Sequence, residues 1–388
     1  TKKEIGRLVF AHSEVDVAGP VLVDPSTDEI IGIRYWVEGE ERHYLDAAKS
    51  RLQRSIDHAL PDSVNTITDR TRDGRILLVR SVAPERAPRT RAWLRDEREI
   101  VEIFVERPGL EGTRLARPRS IRYTARDGAE IPGYLTLPVS GERGGLATVV
   151  MPHGDPHTRD TLRYDPLVQF LASRGYAVLQ LNHRGTSGYC AAHRYAGLDG
   201  TGRTVANDIA DGARWMISEG YADPDRIAVY GTQYGANAAL MASAASPTLF
   251  RCAVGFSGVF DLTLEPRSVS PDAADPMLFG TGPGVSWNRE QRKASSAIED
   301  AGRIRVPVLL GHGEYDPVVA VNQSKRMARA LRRSDRSVEL IVYDDGHGAM
   351  REATALPFYA DLDRFLAQNT GARANESPES VPASPMPR

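Results

Sequence analysis

The sequence predicts an α/β protein: a mostly parallel, doubly wound sheet with flanking helices, preceded by a β-rich region. Two patterns predict it. From about Arg119 onward, near-continuous apolar runs of strand length alternate with stretches of helical period, as expected for strands buried on both faces and joined by right-handed crossovers. Before that point, short β-rich runs recur about ten residues apart, which suits a sandwich, barrel or propeller. The composition agrees, since 41% hydrophobic and 26% charged residues over 388 positions are ordinary globular values and the length suits two to three domains.

In residues 1–118 the expected strands are Val21–Val23, Ile30–Val37, His43–Leu45, Thr66–Thr68, Ile76–Val82, Arg91–Arg95 and Ile100–Val105. Turn signals such as Asp24-Pro25-Ser26 and Asp73-Gly74 separate them. Leu52, Ile56, Ala59 and Leu60 recur at helical spacing over residues 47–60, and Pro61 ends that helix. Seven strands make about two four-stranded propeller blades, too few to close a ring. Two blades leave sheet edges open to association, so a homo-oligomer is one expectation; a small independent β-sandwich is the alternative.

In residues 119–370 a hairpin is expected first, because Asp127-Gly128 lies between the β-rich runs Ser120–Ala125 and Glu130–Leu137. Strands follow at Ala147–Pro152, Ala177–Asn182, Arg226–Gly231, Cys252–Ser257, Val306–Gly311 and Ser337–Tyr343. Helices are expected at Asp165–Arg174, Val205–Glu219, Ala236–Ala245, Ala320–Arg332 and Leu356–Gln368. Residues 371–388, rich in Ser, Pro, Ala and Glu with no apolar face, read as a disordered tail.

Charge and cysteine content exclude several classes. With 49 Lys and Arg against 51 Asp and Glu, the net charge of −2 sets up no field that would draw nucleic acid or an anionic membrane. No run approaches the roughly 18 unbroken apolar residues of a membrane helix. Two cysteines, Cys190 and Cys252, cannot build a disulfide framework or a four-thiolate zinc site. A soluble, cytoplasmic protein is expected. The start at Thr1, without Met or a signal-peptide pattern, suggests a processed product or a piece of a longer chain.

Chemistry concentrates at three strand ends. The run Arg226-Ile-Ala-Val-Tyr-Gly-Thr-Gln-Tyr-Gly leads straight into an Ala-rich helix, which is the strand–turn–helix context of a nucleophile elbow, G-x-S-x-G. Its central residue is Gln233, a carboxamide with no hydroxyl to deprotonate. Asp316, in Gly311-His312-Gly313-Glu314-Tyr315-Asp316-Pro317, and His347, in Asp344-Asp345-Gly346-His347-Gly348, follow 83 and then 31 residues later. The order elbow, acid, histidine is that of α/β-hydrolases. All three positions fall just past strand C-termini, where open α/β sheets place their sites. Asp316 would orient His347, and His347 would be the general base. Taken singly, each has a plain alternative as a turn or loop residue.

The loop Pro152-His153-Gly154-Asp155-Pro156-His157 leaves an early strand, where a second oxyanion donor is usually supplied. His153 and Gly154 are therefore candidates there, with the backbone N–H of Tyr234 as the first donor. His153 and His157 are four apart, but Pro156 disfavours a helix between them and no Glu completes H-E-x-x-H. His312-Gly313-Glu314 matches a deaminase H-x-E without the accompanying P-C-x-x-C. No metal or other cofactor is expected.

With these motifs in hand, residues 119–368 resemble the catalytic domain of the prolyl oligopeptidase family, closest to its acylaminoacyl-peptidase-like and dipeptidyl-peptidase-like bacterial members. MPHGDPHTRD, FLASRGYAVLQLNHRGTSGY, DIADGARWMI, GTQYGANAALMA, PVLLGHGEYDPV and YDDGHG carry the resemblance in the family's order. It implies an α/β-hydrolase fold preceded by a β-propeller, here partial, and a peptide or acyl-peptide as substrate or ligand. The departures are local. The family pattern G-x-S-Y-G-G has Gln233 for the serine and Ala236 for a glycine, HGGP reads His153-Gly154-Asp155-Pro156, and the usual N-Y-R-G reads Asn182-His183-Arg184-Gly185. A carboxylate at 155 would oppose a developing negative charge. The expectation is thus a serine-peptidase-like protein, catalytically impaired or a pseudoenzyme. The alternatives are a family member using another nucleophile, Thr232 or Ser257, or an inactivated or truncated version of an active peptidase. Tyr234, Trp287 and Phe279 are pocket candidates that core packing would equally explain; Arg184 and Arg159 suit a peptide carboxylate or solvent.

Overall fold

The computed structural model describes residues 8–17, 19–24, 27–264, 281–282, 285–348 and 351–372. Phe279 and the tail beyond residue 372 lie outside the described residues.

The N-terminal region contains two antiparallel sheets. Strands β1 (Val21–Val23), β2 (Ile30–Trp36) and β3 (Glu40–Tyr44) make the first. Helix α1 (Ala47–Ala59) follows, capped by Asp46, whose carboxylate accepts the amides of Ala48 and Lys49 at 2.8 Å. Strands β4 (Val64–Arg70), β5 (Ile76–Ala83), β6 (Arg86–Leu94) and β7 (Glu99–Val105) make the second sheet in that spatial order. Ile56 of α1 packs on Leu77 and Val79 of β5 in a small core. All seven expected strands form, and among the described residues they divide into one sheet of three and one of four. Strand β7 leaves Ile103 and Phe104 exposed at the sheet edge.

The rest is an α/β layer structure. In chain order come β8 (Arg119–Thr124), β9 (Glu130–Thr136), β10 (Leu146–Pro152), α2 (Pro166–Ser173), β11 (Ala177–Leu181), α3 (Ala191–Ala196), α4 (Arg203–Ser218), β12 (Ala222–Thr232), α5 (Gln233–Ala245) and β13 (Cys252–Phe256). A short hairpin of β14 (Thr281–Gly282) and β15 (Val285–Ser286) precedes α6 (Arg289–Ala294), β16 (Val308–Gly313), α7 (Asn322–Arg333), β17 (Val338–Tyr343) and α8 (Glu352–Thr370). The main sheet runs β17-β16-β13-β12-β10-β11-β9-β8. Neighbours from β11 to β17 are parallel, whereas β9 pairs antiparallel with both β11 and β8.

Successive residues explain why the strand runs are apolar without alternation. Val149 enters the core on one face of the sheet and Val150 the core on the other, and Val178/Leu179 and Ala228/Val229 divide the same way. Each such fully buried valine or leucine is worth about 1.5–3 kcal/mol. One face is covered by α4, α5 and α7 through Ile209, Leu240 and Met327, the other by α2 and α8 through Leu171, Leu362 and Phe365. This winding puts the turn after β12 and the loops after β10, β16 and β17 along one edge of the sheet.

The turn between β2 and β3 is tied to the α/β layer. Arg159 donates to the carbonyls of Trp36 at 3.1 Å and Val37 at 3.0 Å, and its guanidinium lies 4.0 Å from the Tyr189 ring centroid. The Tyr134 hydroxyl donates to the Glu38 carbonyl at 2.8 Å. No helix among the described residues is long and apolar enough to cross a membrane.

Candidate active site

The turn between β12 and α5 is sterically dictated. A methyl group on Gly231 would stand 2.2 Å from the Gly235 carbonyl oxygen, and one on Gly235 would stand 2.5 Å from that of His153. Only residues without Cβ let the strand, helix and loop approach this closely. Between them Gln233 adopts φ 48°, a left-handed conformation that costs a non-glycine residue about 1–3 kcal/mol. The turn thereby presents the Gln233 side chain above the sheet edge.

Two further loops meet it. After β16, one carboxylate oxygen of Asp316 accepts the amides of Val318 and Val319, each at 2.8 Å, and the other accepts Nδ1–H of His347 at 2.7 Å. Burial pushes the Asp316 carboxyl up, but the bonds from His347 and the two amides outweigh it and hold the group below the usual carboxylate range. After β17, Asp345 fixes the loop that carries His347. Its carboxylate accepts the Thr354 hydroxyl, the Gly346 amide at 2.7 Å and the Arg351 amide at 3.1 Å, and its pKa falls to about 2, the Thr354 bond being the largest cause.

The line closes at the elbow, where Gln233 Nε2 lies 2.7 Å from His347 Nε2. Because Nδ1–H is donated to Asp316, Nε2 of a neutral imidazole carries the lone pair, and the carboxamide N–H donates to it. Asp316, His347 and Gln233 therefore form one continuous hydrogen-bonded chain. His312, to which the sequence motifs assign no role, lies against it. Its ring is fully buried 3.5 Å from Asp316, with Nδ1 2.7 Å from the Ser324 hydroxyl and Nε2–H donated to the Val319 carbonyl at 2.8 Å. Burial lowers its pKa. The usable signal was its place within the same strand-end motif as Asp316.

The loop after β10 departs from expectation. The Tyr234 amide, expected as an open oxyanion donor, donates to the Gly154 carbonyl at 2.8 Å, and the Gly235 amide reaches the same oxygen at 3.4 Å. Gly154 is thus seated on the elbow, so close that a methyl there would stand 2.5 Å from Thr232 Oγ1 and 3.1 Å from Gln233 Oε1. His153 faces inward rather than toward a substrate. Its ring is buried, donates from Nδ1 to the Asp155 carbonyl at 2.6 Å, lies 2.6 Å from Thr186 Oγ1 and stacks on His183 at 4.2 Å. Burial, with His183 beside it, holds it well below the ordinary histidine pKa. The Asp155 carboxylate accepts the His157 amide at 2.8 Å, so it serves a tight turn.

Other candidates lie elsewhere. Tyr234 and Trp287 are core side chains. Arg184 pairs with the fully buried Asp208, its Nε at 3.1 Å, and with Asp127 at 2.6 Å. Arg159 is committed to the backbone carbonyls of Trp36 and Val37, so neither arginine is presented to a peptide carboxylate. Ser257 has φ 46° and a buried hydroxyl with no hydrogen-bond partner among the described residues. His347 makes no hydrogen bond to Ser257 or Thr232 among those residues. Among the described residues, no three or more His, Cys, Asp or Glu side chains gather in a way that could hold a metal ion.

Comparison with known proteins supplies the context. Dipeptidyl aminopeptidase BIII of Pseudoxanthomonas mexicana is 29% identical over 386 residues, covering 95% of this chain and 55% of the relative. Dipeptidyl peptidase family member 6 of Caenorhabditis elegans is 28% identical over 298 residues, covering 70% and 40%. The chain thus spans about half the length of the curated relatives it matches. Uncomplexed acylaminoacyl peptidase of Pyrococcus horikoshii superimposes with a TM-score of 0.69 at 20% identity, over 90% of this chain and 55% of that one, a likeness of fold. A model of the prolyl oligopeptidase family matches residues 163–373. With more than half of its residues inside that match, the chain belongs to the prolyl oligopeptidase family.

Proposed function

We propose that the chain is a peptide-binding member of this family in which hydrolysis through the elbow residue is absent. The observation that carries it is the carboxamide of Gln233, donated to His347 Nε2 at 2.7 Å, where a hydroxyl would have to give its proton to that nitrogen. The general base and its orienting carboxylate are in line, but what they face cannot be deprotonated by an imidazole or form an acyl ester. Loss of a triad nucleophile costs on the order of 10⁶ in turnover. The names of the relatives suggest the ligand: a peptide N-terminus, free as for a dipeptidyl aminopeptidase or acylated as for an acylaminoacyl peptidase. Two unpaired thiols, exposed Cys190 and buried Cys252, are in keeping with a reducing, cytoplasmic setting.

The test has two arms. Calorimetric titration with short free and N-acetylated peptides is expected to show binding, weakened by bulky substitution at Gln233. A serine-reactive fluorophosphonate is expected to leave the chain unlabelled, and aminoacyl and acyl-peptide p-nitroanilides to remain intact. Labelling near the elbow together with peptide turnover would overturn the proposal.

A further inference from the structure

We propose that Asp155 is a positioning residue that keeps the Gly154 carbonyl seated on the amides of Tyr234 and Gly235, a second block on hydrolysis independent of Gln233. The proposal rests on the function proposed above and deepens it. In acyl transfer at such an elbow, the hydroxyl passes its proton to His347 Nε2 as its oxygen bonds to the substrate carbonyl carbon, and the carbonyl π pair moves onto oxygen. That oxyanion needs N–H donors about 2.7–3.1 Å away. The Tyr234 amide already has an oxygen at 2.8 Å, and it belongs to Gly154. A partly negative carbonyl fills the place that a substrate oxyanion would have to take.

Residue 155 holds it there through its side chain and its backbone. Its carboxylate accepts the His157 amide at 2.8 Å, closing a turn, and its carbonyl accepts Nδ1–H of His153 at 2.6 Å. Withdrawing the Gly154 carbonyl means turning over the peptide between 154 and 155, which swings φ of residue 155 by roughly half a turn. Asp155 is not among the residues at positive φ. The overturned peptide would carry it toward positive φ, fully open to glycine and less so to aspartate, which this chain places there at Asp28, Asp62 and Asp335, so the lock rests chiefly on the carboxylate that closes the turn onto the His157 amide. The side chain at 155 therefore acts through backbone geometry, by fixing which end of the 154–155 peptide faces the elbow.

The experiment compares Gln233→Ser, Gln233→Ser with Asp155→Gly, and Gln233→Ser with Asp155→Asn, reading hydrolysis of an activated p-nitrophenyl ester and fluorophosphonate labelling. Asparagine keeps the turn-closing oxygen and removes the charge. Adding Asp155→Gly is expected to raise kcat about 10²–10³-fold over Gln233→Ser, the worth of an oxyanion donor, at unchanged KM. Adding Asp155→Asn is expected to leave kcat where Gln233→Ser has it. Equal kcat with and without Asp155→Gly overturns the proposal, and so does a rise with Asp155→Asn matching that with glycine, which would assign the block to charge. Amide hydrogen exchange at Tyr234 gives a reading without the ester: Asp155→Gly alone should speed it, and unchanged protection counts against the lock. Turnover by the unsubstituted chain instead refutes the proposed function, whereas the lock is judged on the ratio between the Gln233→Ser variants.

Discussion

Acid should unfold this chain earlier than its carboxylates dictate, and His183 sets the size of the effect. The His183 ring is fully buried, stacked at 4.2 Å on His153, with Nδ1–H donated to the Arg184 carbonyl at 2.8 Å and Nε2 unpartnered among the described residues. Burial lowers its pKa from the ordinary 6.5 to about 4, with His193 and His157 adding to the shift and the Arg184 carbonyl opposing it. Between those two values the unfolded chain holds a proton that the folded chain does not. Stability is therefore complete above pH 6.5 and falls as the pH drops toward 4, the sign for a group whose folded state binds fewer protons. At 1.36 kcal/mol per pKa unit, the window is worth about 3 kcal/mol, and His153, shifted the same way, adds to it. Urea unfolding followed by circular dichroism at several pH values, on the unsubstituted chain and on His183→Gln, measures it. Glutamine keeps a donor for the Arg184 carbonyl and cannot titrate. Whatever its stability at neutral pH, the variant should lose about 3 kcal/mol less on acidification. Parallel pH profiles for the two proteins would refute the assignment to His183.

Three substitutions test the frame of the site. Gly231→Ala drives a methyl to 2.2 Å from the Gly235 carbonyl oxygen and should cost about 3 kcal/mol or more, seen as a melting temperature lower by several degrees; an unchanged melting temperature would deny the close approach. Asp208→Ala strips the buried partner from Arg184 and should cost about 3–5 kcal/mol, read by calorimetry beside Asp208→Asn, which should cost less. Arg159→Ala should speed limited proteolysis of the turn at residues 36–39 with little change in overall circular dichroism, because the guanidinium holds the carbonyls of Trp36 and Val37; an unaltered cleavage rate would remove that clamp.

The main sheet was legible because its strands are covered on both sides, so runs such as Ala147–Pro152 and Ile227–Gly231 are near-continuously apolar, with Thr148 the one polar side chain buried within the first. The elbow was legible because the glycines at 231 and 235 have a steric reason to flank the turn. Helices α3 and α6, six residues each, escaped because so short a segment shows no apolar period, although the Asn288/Gln291 capping box of α6 was there to be found. At the site, residue types foretold which side chains meet at the elbow but not which way the Gly154 carbonyl points, since a peptide can turn over without any change of residue. A carboxylate at 155 reads as a charge opposed to an oxyanion, whereas in the fold it closes a local turn. Arg159 and Arg184 looked free because their acceptors, backbone carbonyls at 36 and 37 and the carboxylate of Asp208, lie far away in sequence.

The seating of Gly154 on Tyr234 also has a place in time. Both residues leave the ribosome well before His347, which follows Gln233 by 114 residues. At a synthesis rate of about 5–20 residues per second, that interval lasts roughly 6–23 s. Gly154 precedes Tyr234 by 80 residues and both precede the histidine, so the carbonyl can settle on the elbow amides while the histidine is still to be translated. A nascent chain that has made α5 thus holds both halves of the stopper before its base has been made.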